Sequence, residues 1–134
     1  MKSKNAQHLA LGAAGEEQAS RHLRRSGYRI IARNVRIDGV EIDLIIRRGP
    51  LIAFVEVKTR RSQSLGPPEA AIDLRKCRRL CHGAQVWLQR QGGIALRPRM
   101  DVVACEVRHF GTPKERWSIR HIEHAFDASD GRAF

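Results

Sequence analysis

With 134 residues the chain has the length of about one domain, the usual range being roughly 100 to 200 residues. A domain of that size buries about two thirds of its unfolded surface, so a substantial core is within reach. Apolar residues make up 42% and charged residues 29%, a balance that excludes disorder, collagen-like repeats and a coiled coil. The charge is uneven: 25 Lys and Arg against 14 Asp and Glu leave +11, mostly from arginine. Guanidinium forks match phosphate oxygens, so a polyanion such as nucleic acid is favoured over a small neutral ligand.

No run approaches the roughly 18 uninterrupted apolar residues of a membrane span, and the N-terminus turns acidic too early for an export signal. Cys77, Cys81 and Cys105 form no Cys-x-x-Cys pair and read as reduced thiols. A cytoplasmic protein with no membrane partner is expected.

Residues 6–26 read as an amphipathic helix stopped by Gly27 and Tyr28. Leu9, Ala13, Ala19, Ser20 and Leu23 fall on one face, and so does Glu16. A carboxylate within an apolar stripe is costly unless it is paired or binds a cation, which makes Glu16 the first residue out of place. Three extended runs follow, Tyr28 to Asn34, Glu41 to Arg48 and Leu51 to Thr59, punctuated by Gly39 and Gly49-Pro50. In the second, Ile42, Leu44 and Ile46 are expected on one face, and Glu41, Asp43 and Ile45 on the other. In the third, Leu51, Ala53, Val55 and Val57 oppose Ile52, Phe54, Glu56 and Lys58.

Residues 60–67 read as a polar loop, and Pro68 opens a helical stretch that Asp73 interrupts or recaps before Leu74. In the helix that follows, Cys77, Leu80, Cys81, Ala84, Trp87 and Leu88 share a side, and basic residues occupy the rest until Gly92-Gly93. The cysteines therefore read as core thiols. Met100 to Val107 reads as a buried strand and Arg116 to His124 as an edge strand. The order α-β-β-β-α-β-β implies an α/β sandwich around a mixed sheet. It forms a single domain over residues 1–126, with a loose tail over 127–134.

With Gly49-Pro50 at a hairpin tip, Arg48 faces Leu51, and the antiparallel register that follows sets Asp43 opposite Glu56 and Glu41 opposite Lys58. Two carboxylates across a strand pair repel, and these are framed by apolar residues, so something cationic belongs between them. Magnesium usually takes one or two carboxylates together with waters and phosphate oxygens, a count that Asp43 and Glu56 meet. A lysine two residues on, Lys58, shares the face and can orient a water or stabilise developing charge. Glu41 reads as the ion-pair partner of Lys58 or as a supporting group.

These residues carry a resemblance. Asp43, a short hairpin, and then Glu56-Val57-Lys58 resemble the signature of the PD-(D/E)XK, or restriction-endonuclease-like, nucleases. More closely, Gly12-Ala-Ala-Gly15-Glu16, Gly27-Tyr28, Asn34, Glu41 to Ile45, Phe54 to Arg60, Lys76 and Asp101-Val102-Val103 together resemble the YraN-like uncharacterised bacterial family, UPF0102. That family is similar to archaeal Holliday junction resolvases. The resemblance implies a restriction-endonuclease-like core, nucleic acid as substrate, a divalent metal such as magnesium or manganese as cofactor and a possible homodimer. By its motif Asp43 and Glu56 are the metal ligands, Glu16 is an accessory acid completing or tuning the metal site, and Lys58 is the catalytic lysine. Where the family has glycine before Glu-Ile-Asp this chain has Val40, which disfavours positive φ, so a local difference in the approach to Asp43 is expected.

The expected function is thus a metal-dependent nuclease acting on DNA, branched or structured DNA included, with Arg60, Arg61, Lys76 and Arg79 gripping backbone phosphates. The alternative is a nucleic-acid-binding protein of the same fold without turnover. Asp101, opening a buried strand, is expected to hold an arginine or a loop amide. His121 and His124 show no supporting acid cluster and are not expected to bind metal.

Overall fold

The computed structural model describes residues 3–62, 66, 72–92 and 95–127. Helix α1 (Lys4–Arg25) is followed by strands β1 (Arg29–Ile37), β2 (Val40–Arg48) and β3 (Leu51–Arg61), helix α2 (Leu74–Gln89) and strands β4 (Arg97–Arg108) and β5 (Arg116–Phe126). The strands form one sheet in the order β1-β2-β3-β4-β5. All neighbours are antiparallel except β3 and β4, which run parallel across the connection that contains α2. The expected α/β fold and element order are those observed. The segment holding Pro68 and the tail from residue 128 lie outside the described residues.

Local chemistry sets the element ends. The Ser3 hydroxyl accepts the Ala6 amide at 3.1 Å and starts α1 two residues earlier than its apolar periodicity predicts. At the other end Tyr28 N donates to Leu23 O and Gly27 N to Arg24 O, each at 3.0 Å, with Gly27 left-handed at φ +92°. Asp73 caps α2 by accepting the Lys76 amide at 2.8 Å, as expected, and the helix stops at Gln89, short of the glycine pair. Asp38 and Gly39, at φ +49° and +73°, make the two-residue turn between β1 and β2.

Each face of the sheet carries one helix. Against α2 lie Ile37, Val40, Ile42, Ile45, Ile52, Phe54, Met100 and Val102, packed on Cys77, Leu80, Cys81 and Ala84. Against α1 lie Leu44, Ile46, Ala53, Val55, Val57, Val103 and Cys105, packed on Ala19 and Leu23. All three thiols are buried in these cores. The alternation expected for β3 holds, but that for β2 does not, because Ile42 joins the α2 face while Leu44 and Ile46 join the α1 face. The switch falls at Asp43. Its counterpart in β1 is Asn34, which adopts φ +50° inside a strand that continues three residues beyond its predicted end.

Val40 does not distort this region. The left-handed positions belong to Asp38 and Gly39, and Val40 pairs with Ile37 in the ladder. Both rest on Gly83 of α2, where an added Cβ would lie 3.1 Å from Val40 Cγ1 and 3.3 Å from Ile37 Cγ2. The hairpin tip therefore rides on the helix at its smallest residue. Among the described residues no helix is long and apolar enough to cross a membrane.

Candidate functional site: carboxylates where two strands part

The β2–β3 ladder follows the predicted register from Arg48↔Leu51 to Leu44↔Val55 and goes no further. At the next step Asp43 Oδ2 accepts the Val57 amide at 2.8 Å, so a side chain replaces the backbone partner and the ladder ends, with Ile42 and Val40 packed on the α2 side. The gap opened there is where the chain's unusual charges collect.

Glu56, only 5% exposed, stands on the α2 face of β3, where its Oε1 meets Lys76 Nζ at 2.7 Å and Lys58 Nζ at 3.6 Å. From the opposite face comes Glu16. Its neighbour Gly15 is where α1 presses closest on the sheet: a Cβ there would come within 2.8 Å of Thr59 Cβ and Cγ2. That close crossing brings the Glu16 carboxyl near Asp43, close enough for the two groups to shift each other's pKa.

The electrostatics register the crowding. Burial, followed by the charges of Glu56 and Glu16, pushes the Asp43 carboxyl up to about 7, although the Val57 amide and Lys76 pull against this. Glu16 is also raised, by burial and then by Glu41, with hydrogen bonding to Asp43 opposing. Lys58 is lowered by burial and by the neighbouring Lys76 ammonium. Burial works against the charge of Lys76 too, but its hydrogen bond and attraction to Glu56 more than offset this and hold it above the ordinary lysine value. Three acids and two lysines share one partly desolvated space.

This donor set fits a hard divalent cation. Asp43 and Glu56 supply the one or two carboxylates that magnesium takes, and their mutual repulsion is what a cation relieves. Among the described residues no three His, Cys, Asp or Glu side chains are gathered closely enough to hold a metal by themselves, so the fit rests on this pair with Glu16 beside it.

Other expected site residues are placed differently. Glu41 does not pair with Lys58. Because the ladder has ended, it turns to its β1 neighbour Arg36 at 3.8 Å. Lys76 is engaged by Glu56, and Arg79 donates through Nη2 to Gly39 O at 2.9 Å, anchoring α2 to the hairpin tip. Between that tip and the start of α2 lies an open cleft of about 530 Å³ lined by Arg36, Glu41, Arg75, Lys76 and Arg79 among others. Arg75 belongs to the basic side expected for α2, whereas Arg36 was not anticipated. The polar position of Arg36 between Val35 and Ile37 was the only signal for it. Arg61 is exposed at the end of β3 with its guanidinium 5.5 Å from the centre of the Phe110 ring, and Arg60 lies beside Glu106 in the parallel ladder.

Asp101 is fully buried and belongs to a different assembly. It accepts from Arg99 Nε and Nη2 at 2.8 and 2.7 Å, so the expected arginine is present; the amide it accepts, from His124 at 3.1 Å, belongs to β5 rather than to a loop, and His121 Nε2 lies 2.7 Å away. Burial raises its pKa, but these partners more than compensate and leave it below the ordinary value. His121 and His124 each have one acid partner, Asp101 at 2.7 Å and Asp127 at 2.8 Å.

Comparison with known proteins matches residues 15–105 to the family described as "Uncharacterised protein family UPF0102". The chain is similar to a UPF0102 protein of Symbiobacterium thermophilum, 46% identical over 88% of this chain and 97% of that protein. It is also similar to one of Geobacter sulfurreducens, 40% identical over 87% of this chain and 88% of its relative. A third, from Rhodococcus jostii, is 42% identical over 90% of this chain and 99% of its own length. The matched span runs from Gly15, at the close crossing of α1, through the carboxylates and lysines to Cys105. The chain belongs to the uncharacterised protein family UPF0102.

Proposed function

We propose that this protein is a magnesium- or manganese-dependent nuclease of the PD-(D/E)XK, restriction-endonuclease-like kind, hydrolysing phosphodiester bonds in DNA, branched or structured DNA included. The observation that carries this reading is the pairing of Asp43 with Glu56 where the β2–β3 ladder ends, with Lys58 on Glu56 and Glu16 near Asp43. Asp43 and Glu56 would hold the ion, and Glu16 tunes their charge. Such an ion, when bound, polarises a phosphodiester and acidifies a coordinated water. Lys58 stands on Glu56 and is partly buried, so its ammonium is positioned to orient the attacking water and to stabilise charge developing on the phosphate. The cleft beside the site, with Arg36, Arg75 and Arg79, supplies cations for the flanking phosphates.

The ion pair between Lys76 and Glu56 at 2.7 Å favours a second reading, in which the acids are neutralised internally and the protein binds nucleic acid without cutting it. Cleavage assays on junction, flap and single-stranded DNA in magnesium separate the two. The nuclease reading expects turnover by the wild type and a loss of about 100-fold or more in Asp43→Ala and Glu56→Ala. Nucleic acid bound without turnover, in a protein that takes up no magnesium or manganese, supports the second reading. Absence of nucleic acid binding at low salt overturns both.

A further inference from the structure

At the far end of β4 two arginines face each other. Arg108 and Arg116 are direct partners in the antiparallel β4–β5 ladder, which puts their side chains on one face with Cβ atoms about 5 Å apart. Like charges so placed destabilise a strand pair. Both are exposed, and among the described residues neither makes an ion pair. They line a hollow of about 540 Å³ with Lys114, His109, Pro113 and Glu115. Glu115, the only acid of the lining, has both carboxylate oxygens engaged: Oε1 accepts the Gly111 amide and Oε2 the Trp117 indole, each at 2.8 Å.

The loop is also braced. His109 holds φ +54°, its carbonyl accepts the Thr112 hydroxyl at 2.7 Å, and the Lys114 amide donates to that same hydroxyl oxygen at 3.2 Å. The cations are therefore held near one another by backbone that is already set, the arrangement that lets an anion bind without ordering a loop.

We infer that Arg108, Lys114 and Arg116 form a phosphate-binding subsite that takes a backbone phosphate of the nucleic acid engaged at the carboxylate site. The inference rests on the reading proposed above. Two facts select a nucleic acid over an acidic peptide. A pair of guanidinium forks with an ammonium matches the oxygens and charge of a phosphate better than a single carboxylate. The position also suits a phosphate chain: Glu56 is beside Val102, and Arg108 lies six residues further along the same strand on the same face by alternation, about 20 Å away. Along the axis of a DNA duplex that distance corresponds to about six base pairs at roughly 3.4 Å each. Glu106 lies between, next to Arg60, and leaves the end of the face to the cations.

The test measures binding of a fluorescent DNA duplex and junction across a salt series in calcium or EDTA, for the wild type and for Arg108→Gln/Lys114→Gln/Arg116→Gln. The slope of log affinity against log salt is expected to shrink by about 2 to 3 in the triple variant, with binding weakened at least tenfold. Arg108→Lys/Arg116→Lys keeps the charge and is expected to keep the slope, which separates lost contacts from lost folding. Inorganic phosphate at constant ionic strength is expected to raise the melting temperature of the wild type and not that of the triple variant. Wild-type binding with an unchanged slope in the triple variant overturns the subsite and leaves the nuclease reading intact. Failure of the wild type to bind any nucleic acid overturns that reading, and this one with it.

Discussion

The Asp43 carboxylate satisfies the Val57 amide at 2.8 Å where the backbone of β2 no longer does. One side chain thus performs two tasks: it ends a ladder without leaving a buried N–H unpaired, and it stands beside Glu56 with its charge incompletely neutralised. Metal-free stability should therefore depend on pH through this residue. A carboxyl whose folded pKa lies above its ordinary value contributes fully below that ordinary value and loses its contribution as pH rises through the folded one. For Asp43 the window runs from its unperturbed 3.8 to about 7. Between about pH 5 and 8 the protein in EDTA should lose about 1 to 2 kcal/mol from this source, after discounting for partial exposure. Asp43→Asn should flatten the profile, as followed by thermal melts at several pH values.

Magnesium should act on the same balance. A cation bound only by the folded state stabilises in proportion to its occupancy, by about 2.7 kcal/mol at a hundredfold excess over Kd. Wild-type melting temperature in millimolar magnesium at pH 8 is expected to rise by several degrees, while Asp43→Asn and Glu56→Gln should show little response. Equal shifts in all three would place the cation elsewhere.

Gly15 is required by contact rather than by turn geometry. Because a Cβ there collides with Thr59, Gly15→Ala should push α1 off the sheet and cost about 1 to 3 kcal/mol in urea unfolding. Thr59→Ala in the same chain should recover much of the loss. If the two changes simply add, the crossing is not what excludes larger residues.

Lys76 and Glu56 form the shortest ion pair of the cluster, at 2.7 Å, and removing Lys76 leaves the buried Glu56 carboxylate with Lys58 at 3.6 Å. Lys76→Met is expected to destabilise the metal-free protein by about 1 to 3 kcal/mol, with Glu56→Gln restoring part of it in the double variant. A double-mutant cycle with no coupling would show that Lys58 alone suffices.

Arg99 meets Asp101, which has no exposure at all, through two hydrogen bonds. Arg99→Met should cost about 3 kcal/mol or more in chemical denaturation. Asp101 is held below its ordinary pKa, so its contribution is complete above that value and disappears as pH falls through the folded one. The loss in Arg99→Met should accordingly be largest near neutrality and shrink in acid.

Much of the molecule was legible without coordinates. The apolar alternation of β3, the Gly49-Pro50 tip, the Asp73 cap and the thiol face of α2 are short-range patterns, each set by the geometry of a single element or turn. The register they impose brought Asp43 near Glu56 on paper, and it does so in the fold as far as Leu44↔Val55.

What followed beyond that pair was decided in three dimensions. The switch of Ile42 to the other face, the turn of Glu41 to Arg36, the arrival of Lys76 at Glu56 and the enclosure of Asp101 by Arg99 and His121 leave no periodic trace along the chain. Side-chain periodicity reports which face a residue shares within its own element. Which charges meet depends on where separate elements are packed, and here that is set by α1 pressed on Thr59 and the hairpin tip seated on Gly83.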